Sequence, residues 1–255
     1  MQLQRHRTIV MALNAIICDW NGTIIKYRTE RPLLENVAVD VFKASIPFHP
    51  FKMARILRAR RELRTLYSEW QHHIEADSVR EIFKIYNDKI INGTPVSIIR
   101  RSIDEYATHQ HTQAALDHRI LRTIKECHIA GKTTGILSAG YRYGIERILS
   151  VAGYHEFLDF LEADYLEEND GKAIEFRLGI YTRKADELLK LLSERSLEAS
   201  RVAYVGDSED DEGCFEIVGY PVLSLLAPDE LKNRYAQKYK AFVPKDETDL
   251  MNYFK

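Results

Sequence analysis

The apolar run Ala15-Ile16-Ile17-Cys18 leads straight into Asp19-Trp20-Asn21-Gly22-Thr23. A short run without a polar face fits a strand covered on both sides, and the glycine-containing polar segment after it fits a loop at the carboxyl end of that strand. Such a strand is stable only inside a sheet that carries helices on both faces. The second half of the chain supplies the partners. It reads as strand at 133–137, helix at 143–151 and strand at 157–165, then a hairpin turn at Asn169-Asp170-Gly171 into 173–178. Helix at 184–195, strand at 202–205, helix at 209–218, strand at 221–225, helix at 229–239 and a short strand at 241–243 complete it. This alternation predicts an α/β fold of three layers around a mostly parallel sheet, with ligands bound outside the carboxyl ends of its strands.

Between the first strand and the second, residues 32–125 change character. Apolar residues recur at helical spacing, as in Ile56, Leu57, Leu63, Leu66, Tyr67 and Trp70, with little alternation of the β type. Breaks at Pro47, Pro50 and Asn92-Gly93-Thr94-Pro95 divide the block into several helices, the last at 111–130 returning to the core. The expected organisation is an α/β core at 1–28 and 126–255 with a helical insertion at 29–125.

The 255 residues, 45% apolar and 29% charged, suffice for a large core and argue against disorder. A formal charge of −2 gives no general attraction to nucleic acid or acidic membranes, so such a partner would need a local patch. No nucleic-acid or membrane partner is expected. Cys18, Cys127 and Cys214 are an odd number, far apart and without metal-site spacing, which points to a reducing, cytoplasmic compartment. Arg5 and Arg7 before the apolar stretch 9–18 imitate a signal peptide, but the stretch ends in Asp19 with no small-residue cleavage site, and Met11 is an alternative start.

Three predicted strands end in residues suited to phosphate chemistry: Asp19, Ser138 and Asp207. Each alone has an ordinary reading as a turn or helix-capping residue. Their joint occurrence at strand ends favours a site. The sequence Asp19-Trp20-Asn21-Gly22-Thr23 resembles the first motif of the haloacid dehalogenase-like superfamily, in which the leading aspartate is the nucleophile. Ser138, within Ile136-Leu137-Ser138-Ala139-Gly140, matches the second motif, whose hydroxyl and neighbouring amides hold phosphate. Lys184 best matches the charge-neutralising lysine of the third, ahead of Lys172 and Arg183. Gly206-Asp207-Ser208-Glu209-Asp210-Asp211 matches the acidic fourth motif.

The resemblance implies a Rossmann-like core, a helical cap in the insertion and a phosphohydrolase acting through an aspartyl-phosphate on Asp19. Its catalytic set is Asp19, Asn21, Ser138 and Lys184. Substrate contacts fall to Gly22, Thr23, Ser138, Ala139, Gly140 and Lys184. The implied Mg²⁺ site is Asp19, Asp207, Asp211 and the backbone carbonyl of Asn21; four residues after Asp207, Asp211 would share its face on a helix, and Asp210, pointing elsewhere, is the weaker candidate. The layout of 161–190 loosely resembles the phosphoserine-phosphatase-like branch and suggests a small phosphorylated metabolite.

Asn21 is the departure from that pattern. The family usually has a second aspartate there, which protonates the leaving oxygen and later activates water; an amide does neither. Loss of a general acid/base costs about 10²- to 10⁴-fold. Three readings stay open: a phosphatase with another acid, a phosphotransferase or phosphatase for activated donors such as acyl phosphates, and a non-catalytic phosphometabolite-binding protein. A dehalogenase would not need the acidic metal site. In the helical block Arg55, Arg58, Arg60, Arg61 and Arg64 read first as a solvated face, with the alternative that one enters the cleft to bind a substrate anion. His72, His73, His109, His111 and His118 form no metal pattern, since positions two apart on a helix do not face together.

Overall fold

The structure, a computed structural model, describes residues 13–46, 50–70 and 76–255. Met11, Pro47, His72 and His73 lie outside them, as do the side chains of Tyr67 and Trp70. Strand β1 (Ala15–Cys18) is buried along its whole length, as its unbroken apolar run requires. It sits inside a six-stranded sheet of order β4-β3-β2-β1-β5-β6 with β2 (Thr133–Tyr141), β3 (Phe160–Asn169), β4 (Lys172–Arg177), β5 (Val202–Gly206) and β6 (Tyr220–Leu223). All neighbours are parallel except β3 and β4, an antiparallel hairpin whose turn residues Asp170 (φ 49°) and Gly171 (φ 70°) both lie in the left-handed region. The chain leaves β1 towards β2 on one side and later adds β5 on the other. Their carboxyl ends therefore meet at a crevice.

Helices α1 (Glu30–Ser45), α2 (Pro50–Trp70), α3 (Ala76–Tyr86), α4 (Val96–Thr108), α5 (Gln110–Ala114) and α6 (His118–Ile129) fill the interval between β1 and β2. The insertion shares one continuous apolar core with the sheet, joining Ile16 and Ile136 to Leu33, Val37, Ile103 and Ile120. It also covers the exposed edge of β4. After α3 a π-helical turn at Asn87–Ile91 aims the Asn87 amide at Phe176, accepting its N–H at 2.8 Å and donating to its carbonyl at 3.2 Å. On the same face of the sheet as the insertion, α7 (Arg142–Ala152) packs against α4 and α11 (Glu247–Phe254) against α6, whereas α8 (Lys184–Glu194), α9 (Glu212–Ile217) and α10 (Asp229–Lys238) cover the opposite face.

Several boundaries differ from expectation. Residues 111–130 form two helices, because Asp117 caps α6 by accepting the Arg119 N–H at 3.0 Å while its own N–H bonds the Ile24 carbonyl at 2.8 Å. The buried face of α6 packs beneath β2. Strand β2 runs through Ser138 to Tyr141, whereas residues 155–157 are a 3-10 turn before β3. Residues 209–211 are likewise a 3-10 turn leading into α9. The expected strand at 241–243 reduces to a single bridge from Phe242 to Val222. Helix α11, not anticipated, is capped by Asp246 accepting the Asp249 N–H at 2.8 Å.

Candidate active site

Asp19 extends β1, with its N–H bonded to the Val205 carbonyl at 2.9 Å, and the loop after it folds back on itself. The carbonyl of Trp20 accepts N–H groups from Thr23, Ile24 and Ile25, while its buried indole donates to Thr29 Oγ1 at 3.2 Å. Gly22 is required twice over. Its φ is +70°, and a Cβ there would stand 2.1 Å from Asp207 Oδ2. Glycine thus admits the second carboxylate to the Asp19 loop, and Thr23 Oγ1 adds a long contact of 3.4 Å to Asp207 Oδ1.

Lys184, at the start of α8, places its ammonium 3.1 Å from Asp19 Oδ1 and 2.7 Å from Asp211 Oδ1. Burial alone would lower its pKa, but the charges of Asp19 and Asp211 outweigh that and hold it above the ordinary lysine value. Asp211 is fully enclosed and all its accepting capacity is in use. Oδ1 takes Lys184 and, at 2.9 Å, the Tyr204 hydroxyl; Oδ2 takes the N–H groups of Asp207 and Ser208 at 3.0 and 3.2 Å and the Ser208 hydroxyl at 3.3 Å. The expected helical relation between Asp207 and Asp211 is replaced by this capping box.

The carboxylates exceed the local cations. Oxygens of Asp19, Asp207 and Asp211 lie within 4.8 Å of one another. Burial pushes Asp19 up to about 6, with Lys184 opposing and Asp211 adding to the rise. Asp207 is pushed up to about 8 by burial and by the charges of Asp19 and Asp211. A cluster of hard oxygen donors short of positive charge is the donor set a small divalent cation satisfies.

A cavity of about 200 Å³ opens over these groups, lined by Asp19, Asn21, Gly22, Ser138, Ala139, Lys184 and Asp207 among others. Of the residues expected to contact substrate, Gly22, Ser138, Ala139 and Lys184 line the cavity, and Thr23 touches Asp207. Gly140 differs, since its N–H is turned to Ser138 Oγ at 3.1 Å. Sequence reasoning missed Arg28, Glu30 and Tyr181 in the wall and ranked as the weaker candidate Asp210, which lines the cavity and pairs with Arg28 at 3.6 Å. Only the position of Glu30, just after the motif loop, could have signalled it. The arginines of α2 stay out: Arg55, Arg58, Arg60, Arg61 and Arg64 are all exposed and absent from the cavity wall.

Asn21 is fixed at both ends of its amide. Nδ2 donates to Glu30 Oε1 at 2.6 Å, and Oδ1 accepts the N–H and hydroxyl of Thr29 at 3.0 and 3.2 Å. Burial raises the pKa of Glu30, with the Asn21 bond opposing.

The family model described as haloacid dehalogenase-like hydrolase matches residues 16–216, which include every motif residue above. The chain belongs to this family. Among haloacid dehalogenase-like and related solved structures, a substrate-bound phosphoserine phosphatase shares 17% identity at a TM-score of 0.59, covering 95% of this chain and 99% of that one. A Bordetella pertussis protein described as of unknown function aligns at a TM-score of 0.62 with 15% identity, covering 91% and 98%. A haloacid dehalogenase-like hydrolase from Streptococcus pneumoniae aligns at 0.52 with 17% identity over 95% and 99%. At these identities the likeness is one of fold. No curated protein sequence matches the chain. No helix among the described residues is long and apolar enough to cross a membrane.

Proposed function

We propose that the protein is a Mg²⁺-dependent phosphomonoester hydrolase that acts on a small phosphorylated metabolite through an aspartyl-phosphate on Asp19. The observation that carries this reading is the buried Asp19 carboxylate, paired with Lys184 at 3.1 Å and facing Asp207 in a cavity that Ser138 and Ala139 also line. The similarity to a substrate-bound phosphoserine phosphatase supports a small phosphomonoester.

Asp19 attacks phosphorus in line, forming a carboxylate–phosphorus bond as the bond to the leaving oxygen breaks. Water then attacks phosphorus, the bond to Asp19 breaks, and inorganic phosphate leaves. Ser138 and the Ala139 amide hold phosphoryl oxygens, and Lys184 offsets the charge of nucleophile and phosphate. Mg²⁺, held by Asp19, Asp207 and the backbone carbonyl of Asn21, would neutralise and orient the phosphoryl oxygens. Asp211 serves differently from the ligand role expected for it: with both oxygens already engaged, it positions Lys184 and the loop of Asp207. The insertion acts as a cap, bringing Val79 and Phe83 of α3 over the cavity opposite Leu178 and Tyr181. Three free, buried cysteines fit a reducing, cytoplasmic setting.

The locked Asn21 amide supports a narrower version, in which the preferred donors are activated ones such as acyl phosphates, whose leaving groups need no proton. Turnover of acetyl phosphate and p-nitrophenyl phosphate with and without Mg²⁺ tests both. Mg²⁺-dependent turnover lost in Asp19→Asn supports hydrolysis through Asp19. Phosphate binding without turnover of either compound would make the protein a binder and end the catalytic reading.

A further inference from the structure

Helix α2 presents a charge pattern unrelated to the catalytic cavity. Its buried stripe, Ile56, Ala59 and Leu63, packs inward, leaving Arg55, Arg58, Arg60, Arg61 and Arg64 in solvent. None of these five has an ion-pair or hydrogen-bond partner among the described residues. Glu62, the acid among the described side chains of α2, is already engaged by Lys89. A helix of 100° per residue puts Arg58, Arg61 and Arg64 around the outward direction, together with Leu57. Leu57 is 47% exposed, Phe51 at the start of the helix 91%, and Ile46 just before it 48%. Isolated exposed apolar residues are ordinary, but a nearly bare phenylalanine among uncompensated arginines is not.

At the amino-terminal foot of α2 lies a groove of about 880 Å³, lined by Phe51, Lys52, Arg55, Thr94 and Lys172 among others and by no acidic side chain of the described residues. Lys52 donates to Thr94 Oγ1 at 2.9 Å, and burial followed by the charge of Arg55 pulls its ammonium below the usual lysine value. Cations gathered without a counter-charge are the complement of an anion.

We propose that this face docks the protein on an anionic phospholipid bilayer, with headgroup phosphates taken by the α2 arginines and the groove, and with Phe51 and Ile46 entering the interface. Basic clusters on a helix are attracted to the negative surface of anionic leaflets, and aromatic and aliphatic residues add burial at the headgroup level. A nucleic acid would satisfy the arginines but leave Phe51 and Ile46 in water. Because the whole chain carries only −2, attraction is confined to the patch and must be sensitive to salt. The inner face of α2 is committed to the core, so contact is peripheral and shallow.

The test is co-sedimentation of the full chain with vesicles of phosphatidylcholine alone or with about 30% phosphatidylserine. The expected result is a partition about tenfold higher with phosphatidylserine, lost near 0.5 M salt. The triple variant R58E/R61E/R64E should pellet no better than with neutral vesicles, and R61E alone provides a milder charge reversal should the triple variant fail to fold by circular dichroism. Phe51→Ser, which leaves the charge intact, should weaken binding several-fold. Equal partition into both vesicle types, or charge-reversed protein that folds and binds as the parent does, overturns the proposal. Binding to a short RNA duplex that outcompetes the vesicles and is indifferent to Phe51→Ser assigns the face to nucleic acid instead.

Discussion

Lys184 and Asp211 form a buried ion pair of 2.7 Å that is built into the loop carrying Asp207, because the other Asp211 oxygen accepts the Asp207 N–H at 3.0 Å. One carboxylate therefore fixes both the ammonium beside the nucleophile and the backbone of a proposed metal ligand. Removing one partner of a buried pair leaves an uncompensated charge and costs about 3–5 kcal/mol. Asp211→Asn should lower unfolding stability by about that amount in urea titration and reduce kcat at least about tenfold. Tyr204→Phe removes the 2.9 Å hydroxyl contact to Asp211 and should cost about 1 kcal/mol. Unchanged stability in Asp211→Asn would show that Lys184 needs no anchor beyond Asp19.

Asp207→Asn separates ligation from architecture. Burial, with the charges of Asp19 and Asp211 added, holds the Asp207 carboxyl up to about 8, so a neutral amide relieves that penalty in the metal-free protein. The metal-free variant should melt at or above the parent temperature, while Mg²⁺, which stabilises whatever state binds it, should raise the melting temperature of the parent only. Its Mg²⁺ requirement for turnover should rise at least about tenfold. An unshifted Mg²⁺ titration removes Asp207 from the ligand set.

The strand-to-loop arrangement was legible because it is local: the run Ala15–Cys18 has no polar face, and Asp170-Gly171 can supply the two left-handed residues of a tight hairpin. The meeting of Asp19 and Asp207 followed from a parallel sheet whose strand ends share an edge, whereas Lys184, at the start of a helix, was indicated only by the family resemblance. What did not follow depended on contacts between distant segments. Leu57 shares the apolar spacing of its helix yet points outward, because spacing marks a stripe and not its width. Residues 111–130 read as one helix since nothing local shows the Asp117 N–H claimed by Ile24. The lower rank of Asp210 assumed a regular helix after Asp207, whereas the capping box turns the chain so that Asp210 meets Arg28.

Asp164 makes stability depend on pH away from the metal cluster. Its Oδ1 accepts N–H groups from Gly179 and Ile180 at 2.7 and 2.8 Å, but Oδ2 is buried without a hydrogen-bond partner. Burial pushes the carboxyl up to about 7, against those two N–H donors and with the help of Glu30 and Glu187. A folded pKa above the unfolded value of about 3.9 means a stabilising contribution that is complete below about pH 4 and disappears as pH rises through 7. Asp164→Asn stays neutral and keeps the accepting oxygen. The parent should lose more stability than this variant between pH 5.5 and 8.5, by roughly 1 kcal/mol or more, in thermal melts. Parallel losses would show that another group titrates there.

Asn21→Asp tests the proton deficit directly. In the parent, Nδ2 donates to Glu30 Oε1 at 2.6 Å, while Oδ1 is already committed to Thr29. An aspartate there faces Glu30 with a second carboxyl at the same separation, and two such groups cannot both stay ionised; they share a proton. The backbone carbonyl proposed for Mg²⁺ is untouched. The shared proton lies in the wall of the cavity, where it can pass to a leaving alkoxide, and the ionised partner can accept one from attacking water. Rates for alkyl phosphates should therefore rise by about 10²-fold or more, while acetyl phosphate, whose carboxylate leaves without protonation, changes little. Steady-state rates for both substrates in parent and variant, with the phosphoenzyme level measured alongside, give the comparison. A parent that already hydrolyses alkyl phosphates rapidly, with no gain in the variant, would mean that another residue delivers the proton and that the Asn21 amide limits nothing.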